Sequence, residues 1–286
     1  MSEGDGPVSE RLPIGVTLRT IRADPAWWLE SARRLDEAGY QGVWAWDHFM
    51  GRGDLTVPVV EGWTALAMTA GATKRIEVGS FVLNVMNRHP AVVARMASTL
   101  QIASGGRLVL GIGIGGHPRE HAAYGIDFPP APERVARLEE AIAVIRALWT
   151  GGPVTRESPY YPLREAHAWP RPDPAPPIVL GGESASGARL AGRLGVGWSA
   201  FDDNFEANLP SYLEALEANG HRREDQGVLV GFQGDWLGDE SIEDSPWVTE
   251  PRDTWARWQA AGADGAIVLA RTTSDIDALV EAANRW

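Results

Sequence analysis

The sequence contains no cysteine and only one lysine, Lys74. Without cysteine the chain has no disulfide, no catalytic thiolate and no sulfur ligand for a metal. With one lysine, which precedes a strand-like segment, catalysis through a lysine Schiff base is not expected. The chain also lacks an apolar run long enough to cross a bilayer, and its polar first residues lack the apolar core of a secretion signal. We therefore expect a cytoplasmic protein with no membrane partner.

Basic residues are outnumbered by acidic ones, and the formal net charge is −12. Such a charge disfavours nucleic acid and anionic membrane surfaces as partners, and it leaves a small-molecule substrate as the expected one. Of the 286 residues, 44% are hydrophobic, which is enough for a sizeable core. We expect residues 1–12 to form a flexible tail and residues 13–286 to form one domain.

Apolar strand-like segments alternate with helix-like segments along the whole chain. Eight such units in this length favour a closed (β/α)8 TIM barrel over the alternative, a doubly wound open sheet. The predicted strands are Ile14–Leu18, Gly42–Trp46, Ile76–Ser80, Leu108–Ile112, Pro177–Gly181, Gly197–Ala200, Val228–Phe232 and Gly265–Leu269. The predicted helices are Pro25–Ala38, Gly62–Ala72, Pro90–Ala103, Pro132–Trp149, Ser184–Leu194, Asn204–Ala218, Pro251–Ala261 and Thr273–Arg285.

Two longer segments interrupt this regular alternation. Thr150–Pro176 is rich in proline, and Gly234–Glu250 is acidic and contains tryptophan. In barrels the loops that follow strands carry the chemistry. We expect both segments to lie over the barrel mouth and to determine the substrate.

Four glycines fall within six residues at the end of the fourth predicted strand: Gly111, Gly113, Gly115 and Gly116. Glycine lets a backbone approach a flat or anionic ligand closely, so this strand is expected to contact a cofactor. The string formally matches G-x-G-x-x-G. However, no second strand that ends in an acidic residue follows at the distance that a dinucleotide-binding fold requires. The next residues, His117 to His121, match an inverted zinc-protease pattern without a third ligand, and we assign no metal. The simpler alternative places Glu120 and His121 in a solvated surface turn.

Polar residues follow three other strands at the expected catalytic end of the barrel. Asp47 and His48 end the second strand, where an imidazole beside a carboxylate suits proton transfer. Asn84 and Arg88 follow the third strand and could bind polar edges or phosphate, although helix capping would also explain them. Gly181 and Gly182 follow the fifth strand and precede a helix start, where backbone N–H groups can hold a phosphate.

These segments together resemble the F420-dependent oxidoreductases of the luciferase-like monooxygenase superfamily. The blocks that carry the resemblance are GYQGVWAWDHFM, EGWTALAMTAGATKRIEVGSFVLN, NRHPAVVARMASTLQIASGGRLVLGIGIGG, YGIDFPPAPERVARLEEAIAVIRALWTG and PPIVLGGESASGARLAGRLGVGWS. The resemblance runs from about Ile14 to the C-terminus. It implies a TIM barrel and a homodimer.

The resemblance also implies a deazaflavin or flavin across the strand ends, with Asp47 and His48 facing the ring. Ser80 and Phe81 occupy the place of a bulge that often contains a non-prolyl cis peptide bond. Gly181 and Gly182 would line the tail and phosphate of the cofactor, as Gly113 and Gly115 would line its ring; Asn84 and Arg88 are further cofactor-binding candidates. Relatives that oxidise glucose 6-phosphate have a glutamate where this chain has Gly116, which argues against a sugar phosphate.

Three functions follow as hypotheses. The first is hydride transfer between F420 and a small organic substrate, with His48 and Asp47 as catalytic residues. The second is an FMN-dependent monooxygenase on the same barrel. The third is a flavin-binding barrel without catalysis.

Overall fold

The computed structural model describes residues 11–51, 54–232 and 241–286. Eight parallel strands form a closed barrel within this part of the chain. Each pairs with its neighbour in the chain order of the barrel, as Gly42 does with Glu77, and the first strand pairs with the last, as Ile14 does with Ala266. Closure confirms the TIM barrel and rules out the open doubly wound sheet.

The strands are β1 Leu12–Leu18, β2 Tyr40–Ala45, β3 Glu77–Ser80, β4 Leu83–Asn84, β5 Leu108–Gly113, β6 Val154–Arg156, β7 Leu163–Ala166, β8 Ile178–Gly181, β9 Gly197–Phe201, β10 Val228–Gly231 and β11 Gly265–Ala270. The helices are α1 Pro25–Glu37, α2 Gly62–Ala72, α3 Pro90–Ala103, α4 Pro118–Tyr124, α5 Ala131–Leu148, α6 Ala185–Leu194, α7 Asp202–Ala218, α8 Pro246–Thr249, α9 Pro251–Ala260 and α10 Thr273–Ala283. All eight predicted strands and all eight predicted helices are present, with ends shifted by two residues at most. The seven-residue α4 and the two-residue β4 were not predicted.

The core has two layers. The larger layer lies between the strands and the surrounding helices, and the smaller one fills the barrel interior with Trp44, Val179, Leu229 and Ile267. Trp44 requires glycine in the neighbouring strands. A Cβ at Gly15 would lie 2.1 Å from its indole nitrogen, and one at Gly79 would lie 2.3 Å from its ring carbons. The interior is therefore filled by side chains below the mouth, which leaves the mouth as the place for a ligand.

Three expectations about segments need correction or restriction. Leu12 was assigned to the tail, but it is buried and begins β1, where its N–H donates to the carbonyl of Gly39. Residues 1–10 of that tail lie outside the described residues. So do residues 233–240 of the predicted Gly234–Glu250 loop, whose remaining part contains α8.

The segment Thr150–Pro176 follows α5 in the chain. It contains the antiparallel pair β6 and β7, as expected, and it packs against α3. Gln101 donates to the carbonyl of Pro174 at 3.0 Å, and His89 contacts the ring of Tyr161. The segment leaves the end of α5, and a barrel helix ends at the face opposite the mouth.

Candidate active site

Eight of the ten predicted site residues line one cavity at the C-terminal ends of the strands, with a volume of about 630 Å³. The cavity continues outward between α5 and α6, where Leu138 and Leu190 line it. No residue of Thr150–Pro176 lines it, so this segment does not shape the cavity as expected. The eight are Asp47, His48, Phe81, Asn84, Gly113, Gly115, Gly181 and Gly182.

The two predicted residues outside the cavity are Ser80 and Arg88. Ser80 is buried behind the strand bulge, where its hydroxyl donates to the carbonyl of Gly111 at 2.6 Å. Arg88 donates to both carboxylate oxygens of Asp47 at 2.8 and 2.9 Å and to Glu61 at 2.5 Å. Its guanidinium is therefore engaged by protein carboxylates, and the expectation that it binds a cofactor is not supported by its position.

Asp47 is 6% exposed, and its carboxylate is surrounded by donors. Besides Arg88, the backbone N–H of Asn84 donates to it at 2.9 Å and the Asn87 amide donates at 3.0 Å. These bonds connect the end of β2 to the loop that follows β4. Asp47 therefore fixes the shape of this loop, and its oxygens are largely used by the protein.

His48 lies on the cavity wall, but the carboxylate that it contacts is not Asp47. Among the described residues, Oε2 of Glu120 lies 3.4 Å from its Nδ1. The ring of His117 meets the ring of His48 edge to face, with centroids 4.5 Å apart. The carboxylate that lies beside this imidazole is therefore that of Glu120 on α4 and not that of Asp47.

Glu120 and His121 are both buried, which contradicts their assignment to a solvated turn. Burial raises the pKa of Glu120, but the nearby imidazole of His48 and hydrogen bonds from the N–H groups of Phe49 and Met50 outweigh it and hold that pKa below its usual value. Nε2 of His121 lies 2.8 Å from the amide nitrogen of Asn84. Burial lowers the pKa of His121. The H-x-x-E-H pattern drew attention to these residues, but their contacts with other loops are not visible in it.

The zinc interpretation of this pattern finds no support in the arrangement of side chains. In residues 11–51, 54–232 and 241–286, no three His, Asp or Glu side chains converge as metal ligands. The same part of the chain contains no helix with the length and apolar character needed to span a membrane.

The glycines of β5 make room for protein atoms rather than only for a ligand. A Cβ at Gly111 would lie 1.9 Å from the carbonyl oxygen of Ser80, and one at Gly113 would lie 2.8 Å from Val82. Gly115, with φ of 75°, lies against Asn84, whereas a Cβ at Gly116 would meet no protein atom within 4 Å. The bulge between β3 and β4 thus rests on β5 and places Val82 in the cavity. The peptide bond between Phe81 and Val82 is cis, one residue later than the bond that the resemblance indicated.

The start of α6 forms the other end of the cavity. Ser184 caps the helix by accepting from the N–H of Gly187, and its hydroxyl contacts that of Ser186. The first N–H groups of a helix lack intrahelical partners and attract anions. Arg193, farther along α6, lines the outer part of the cavity and pairs with Glu139 at 2.5 Å.

A second cavity, of about 580 Å³, lies near the ends of β10 and β11. Its wall is aromatic, and the rings of Phe232 and Trp247 are 4.8 Å apart. Arg257 lies over the ring of Trp258 and pairs with Glu206 at 2.7 Å. The charged residues of the wall are Asp202, Glu250, Asp253, Arg257 and Arg271.

The fold and the position of the main cavity define a (β/α)8-barrel protein with a small-molecule site at the C-terminal face of the barrel. The chain belongs to the luciferase-like monooxygenase family, whose model matches residues 12–234. That match ends before the C-terminus, to which the sequence resemblance was expected to extend.

Among curated proteins, the chain is 34% identical to an F420-dependent glucose-6-phosphate dehydrogenase of Microbacterium testaceum over 68% of this chain and 60% of that protein. It is also 34% identical to an F420-dependent hydroxymycolic acid dehydrogenase of Mycobacterium tuberculosis, over 75% of this chain and 59% of that protein. The matched region thus spans about three fifths of each of these two relatives.

Solved structures share the fold at lower identity. An F420-dependent secondary alcohol dehydrogenase in complex with an F420–acetone adduct matches with a TM-score of 0.80 and 20% identity, covering 95% of this chain and 96% of that one. The monooxygenase RslO1 from Streptomyces bottropensis matches with a TM-score of 0.75 and 19% identity, covering 95% and 96%. The fold alone therefore does not distinguish dehydrogenase from monooxygenase.

Proposed function

We propose that this protein is an F420-dependent oxidoreductase that moves a hydride between the deazaflavin and a small organic substrate. The observation that carries the proposal is His48 on the wall of a cavity at the barrel mouth, in a chain similar over most of its length to F420-dependent dehydrogenases. When bound, F420 would supply the hydride chemistry at C5 of its ring, and the protein would supply position and proton transfer.

The residues of the main cavity fit such a cofactor. Val82 and Leu180 offer an apolar surface beside Gly113 and Gly181, where a flat ring can approach the backbone. Gly116 leaves open space at the same wall. The N-terminus of α6, with Ser184 and Ser186, suits a phosphate on the cofactor tail.

His48 would exchange the proton that accompanies the hydride. Its imidazole is half-buried on the cavity wall, and an imidazole takes or gives a proton near neutral pH. Asp47 would act indirectly by holding Asn84, at the end of β4, and the loop after it against the cavity. Phe81 would contact the substrate side of the mouth.

We further propose that the substrate is small and uncharged rather than a sugar phosphate. Arg193 and Arg257, two of the three arginines that line the two cavities, are each paired with a glutamate. Carboxylates are also frequent in the second cavity, and they would repel a phosphate dianion. Hydride chemistry on a secondary alcohol needs no such anion site.

The test is a titration of the purified protein with F420 and, separately, with FMN, followed by fluorescence. We expect saturable binding of F420, reduction of bound F420 by secondary alcohols, and no turnover with glucose 6-phosphate. The His48→Ala variant should bind F420 but lose turnover by about 100-fold or more, the usual contribution of a general acid or base.

Tight FMN binding with oxygen consumption would instead identify a monooxygenase. Failure to bind either cofactor would favour a barrel without this catalysis. Rapid turnover of glucose 6-phosphate would overturn the substrate proposal alone. Two expectations stay predictions from sequence: a cytoplasmic location and a homodimer, the second measurable by light scattering.

A further inference from the structure

We propose that Glu120 is a positioning residue for His48. Its carboxylate accepts from Nδ1–H of His48 and thereby leaves Nε2 as the ring nitrogen that exchanges a proton with the substrate. The inference rests on the proposed function for the role of Nε2, but the geometry that supports the positioning is independent of any substrate.

The contact is built from a rigid, buried carboxylate. Glu120 is 2% exposed and lies on α4. One of its oxygens, Oε2, lies 3.4 Å from Nδ1 of His48 and accepts from the backbone N–H groups of Phe49 and Met50 at 2.9 and 3.3 Å. The same oxygen therefore holds both the ring of His48 and the backbone that follows it.

The charge of Glu120 decides which group donates. Two backbone N–H groups donate to Oε2 of Glu120 and favour its ionised form, and its pKa lies below its usual value although burial opposes this. An ionised carboxylate only accepts hydrogen bonds. The proton in this contact must then lie on Nδ1, and the tautomer of a histidine is set by the bond that one of its nitrogens makes.

Other charged groups near His48 do not offer the same contact. Asp47 is engaged by Arg88, Asn84 and Asn87. His117 meets His48 ring to edge and confines it from another side. Arg119 lines the small pocket that His48 shares with Glu120.

Three variants distinguish the positioning of the His48 ring by Glu120 from the support that Glu120 gives to the backbone at Phe49 and Met50. Glu120→Gln keeps an oxygen acceptor for Nδ1–H and for both N–H groups but removes the charge. Glu120→Leu removes the acceptor at similar size. Tyr124→Phe is the matched control, because Tyr124 lies on the same helix and donates to the carbonyl of Phe49 at 3.0 Å without touching His48.

The measurement is the imidazole ¹H–¹⁵N spectrum of the cofactor-free protein, with the His48 signal assigned through His48→Asn. We expect the Nδ1–H tautomer in the wild type, in Glu120→Gln and in Tyr124→Phe, and its loss in Glu120→Leu. With F420 and substrate, kcat should fall about 100-fold in Glu120→Leu with little change in KM, and less than about tenfold in Glu120→Gln.

An Nε2–H tautomer in the wild type would overturn the proposal, and this result needs no variant to fold. An unchanged tautomer in a folded Glu120→Leu protein would also overturn the proposal. It would show that Glu120 only stabilises the loop through the N–H groups of Phe49 and Met50. If His48→Ala retained turnover, the proton role of His48 would fail, while the spectra would still decide whether Glu120 positions the ring.

Discussion

The carboxylate next to His48 in the sequence is not the carboxylate that contacts its imidazole in the structure. Asp47 stands beside His48 in the chain, yet its oxygens bind Arg88 and the loop after β4. Glu120 is 72 positions from His48 in the chain, yet it contacts the imidazole. Adjacent residues at a strand end point in different directions, so neighbourhood in sequence does not decide which carboxylate serves a histidine.

Removal of Arg88 should destabilise the protein strongly. Arg88→Met would leave the buried Asp47 carboxylate without its cation, which costs about 3–5 kcal/mol in comparable buried pairs. The double variant Asp47→Asn with Arg88→Met should recover part of this loss, because no buried charge remains. Urea unfolding followed by circular dichroism measures the three free energies.

The matched control for this comparison is Arg34→Met. Arg34 also pairs with an aspartate, Asp277, at 2.7 Å, but the aspartate is 61% exposed. Its loss should cost less than about 1 kcal/mol. Equal losses in Arg88→Met and Arg34→Met would show that Asp47 does not depend on its buried partner.

The type and position of a residue predicted cavity contacts well, but not long-range partners. Asn84, Gly113 and Gly181 could be assigned because they end strands that must meet at one face of a barrel. Ser80 and Arg88 could not be excluded, since their orientation depends on a bulge and on a carboxylate from another strand. Glu120 required the position of α4, a single short helix that the sequence pattern did not reveal.

At the scale of elements, β5 and the bulge after β3 form one unit. Gly111 lets the carbonyl of Ser80 approach, and Gly113 and Gly181 leave room for Val82. From the sequence, the expected role of these glycines is to leave space for a flat ring. They also accommodate the bulge, and the bulge supplies part of the cavity wall.

Two alanine substitutions in β5 and its following loop should therefore differ strongly in their effect on stability. Gly111→Ala places a methyl group 1.9 Å from a backbone oxygen, and it should cost on the order of 3 kcal/mol of stability. Gly116→Ala meets no protein atom within 4 Å, and it should change stability by less than about 0.5 kcal/mol.

Gly116→Ala should nevertheless raise the KM for the substrate by about tenfold, because its methyl group enters the cavity. Thermal unfolding and steady-state kinetics measure the two properties separately. An unchanged KM in Gly116→Ala would place the substrate elsewhere in the mouth, and a stable Gly111→Ala would show that the bulge can move.

The position of Thr150–Pro176 shows what element patterns leave undecided. Its length and proline content correctly indicated an excursion with short strands. It does not line the main cavity. The segment follows a helix, and only segments that follow strands begin at the C-terminal face. The same rule holds for Ser241–Glu250, which follows β10 and lines the second cavity.

At the scale of the whole molecule, regular alternation determined the barrel. Eight apolar strands, each followed by a helix with one apolar face, have few ways to bury both layers, and closure is the arrangement that leaves no exposed sheet edge. The fold could therefore be predicted from local sequence patterns. The site depends on contacts such as that of Glu120 with His48, which form only when the barrel closes.

The net charge of −12 gives a prediction for the molecule as a whole. If the cofactor carries an anionic phosphate tail, the negative field of the protein should slow its association. The field reaches about 30 Å at 0.01 M salt but only about 8 Å at 0.15 M. The association rate of F420, followed by stopped-flow fluorescence, should therefore rise about threefold over this range of salt concentration.

The control is the deazaflavin ring compound without its phosphate tail, whose association should be nearly independent of salt because it carries no tail charge. A rate for F420 that falls with added salt would contradict this prediction. It would mean that the start of α6 creates a local positive field at the cavity that outweighs the charge of the remaining surface.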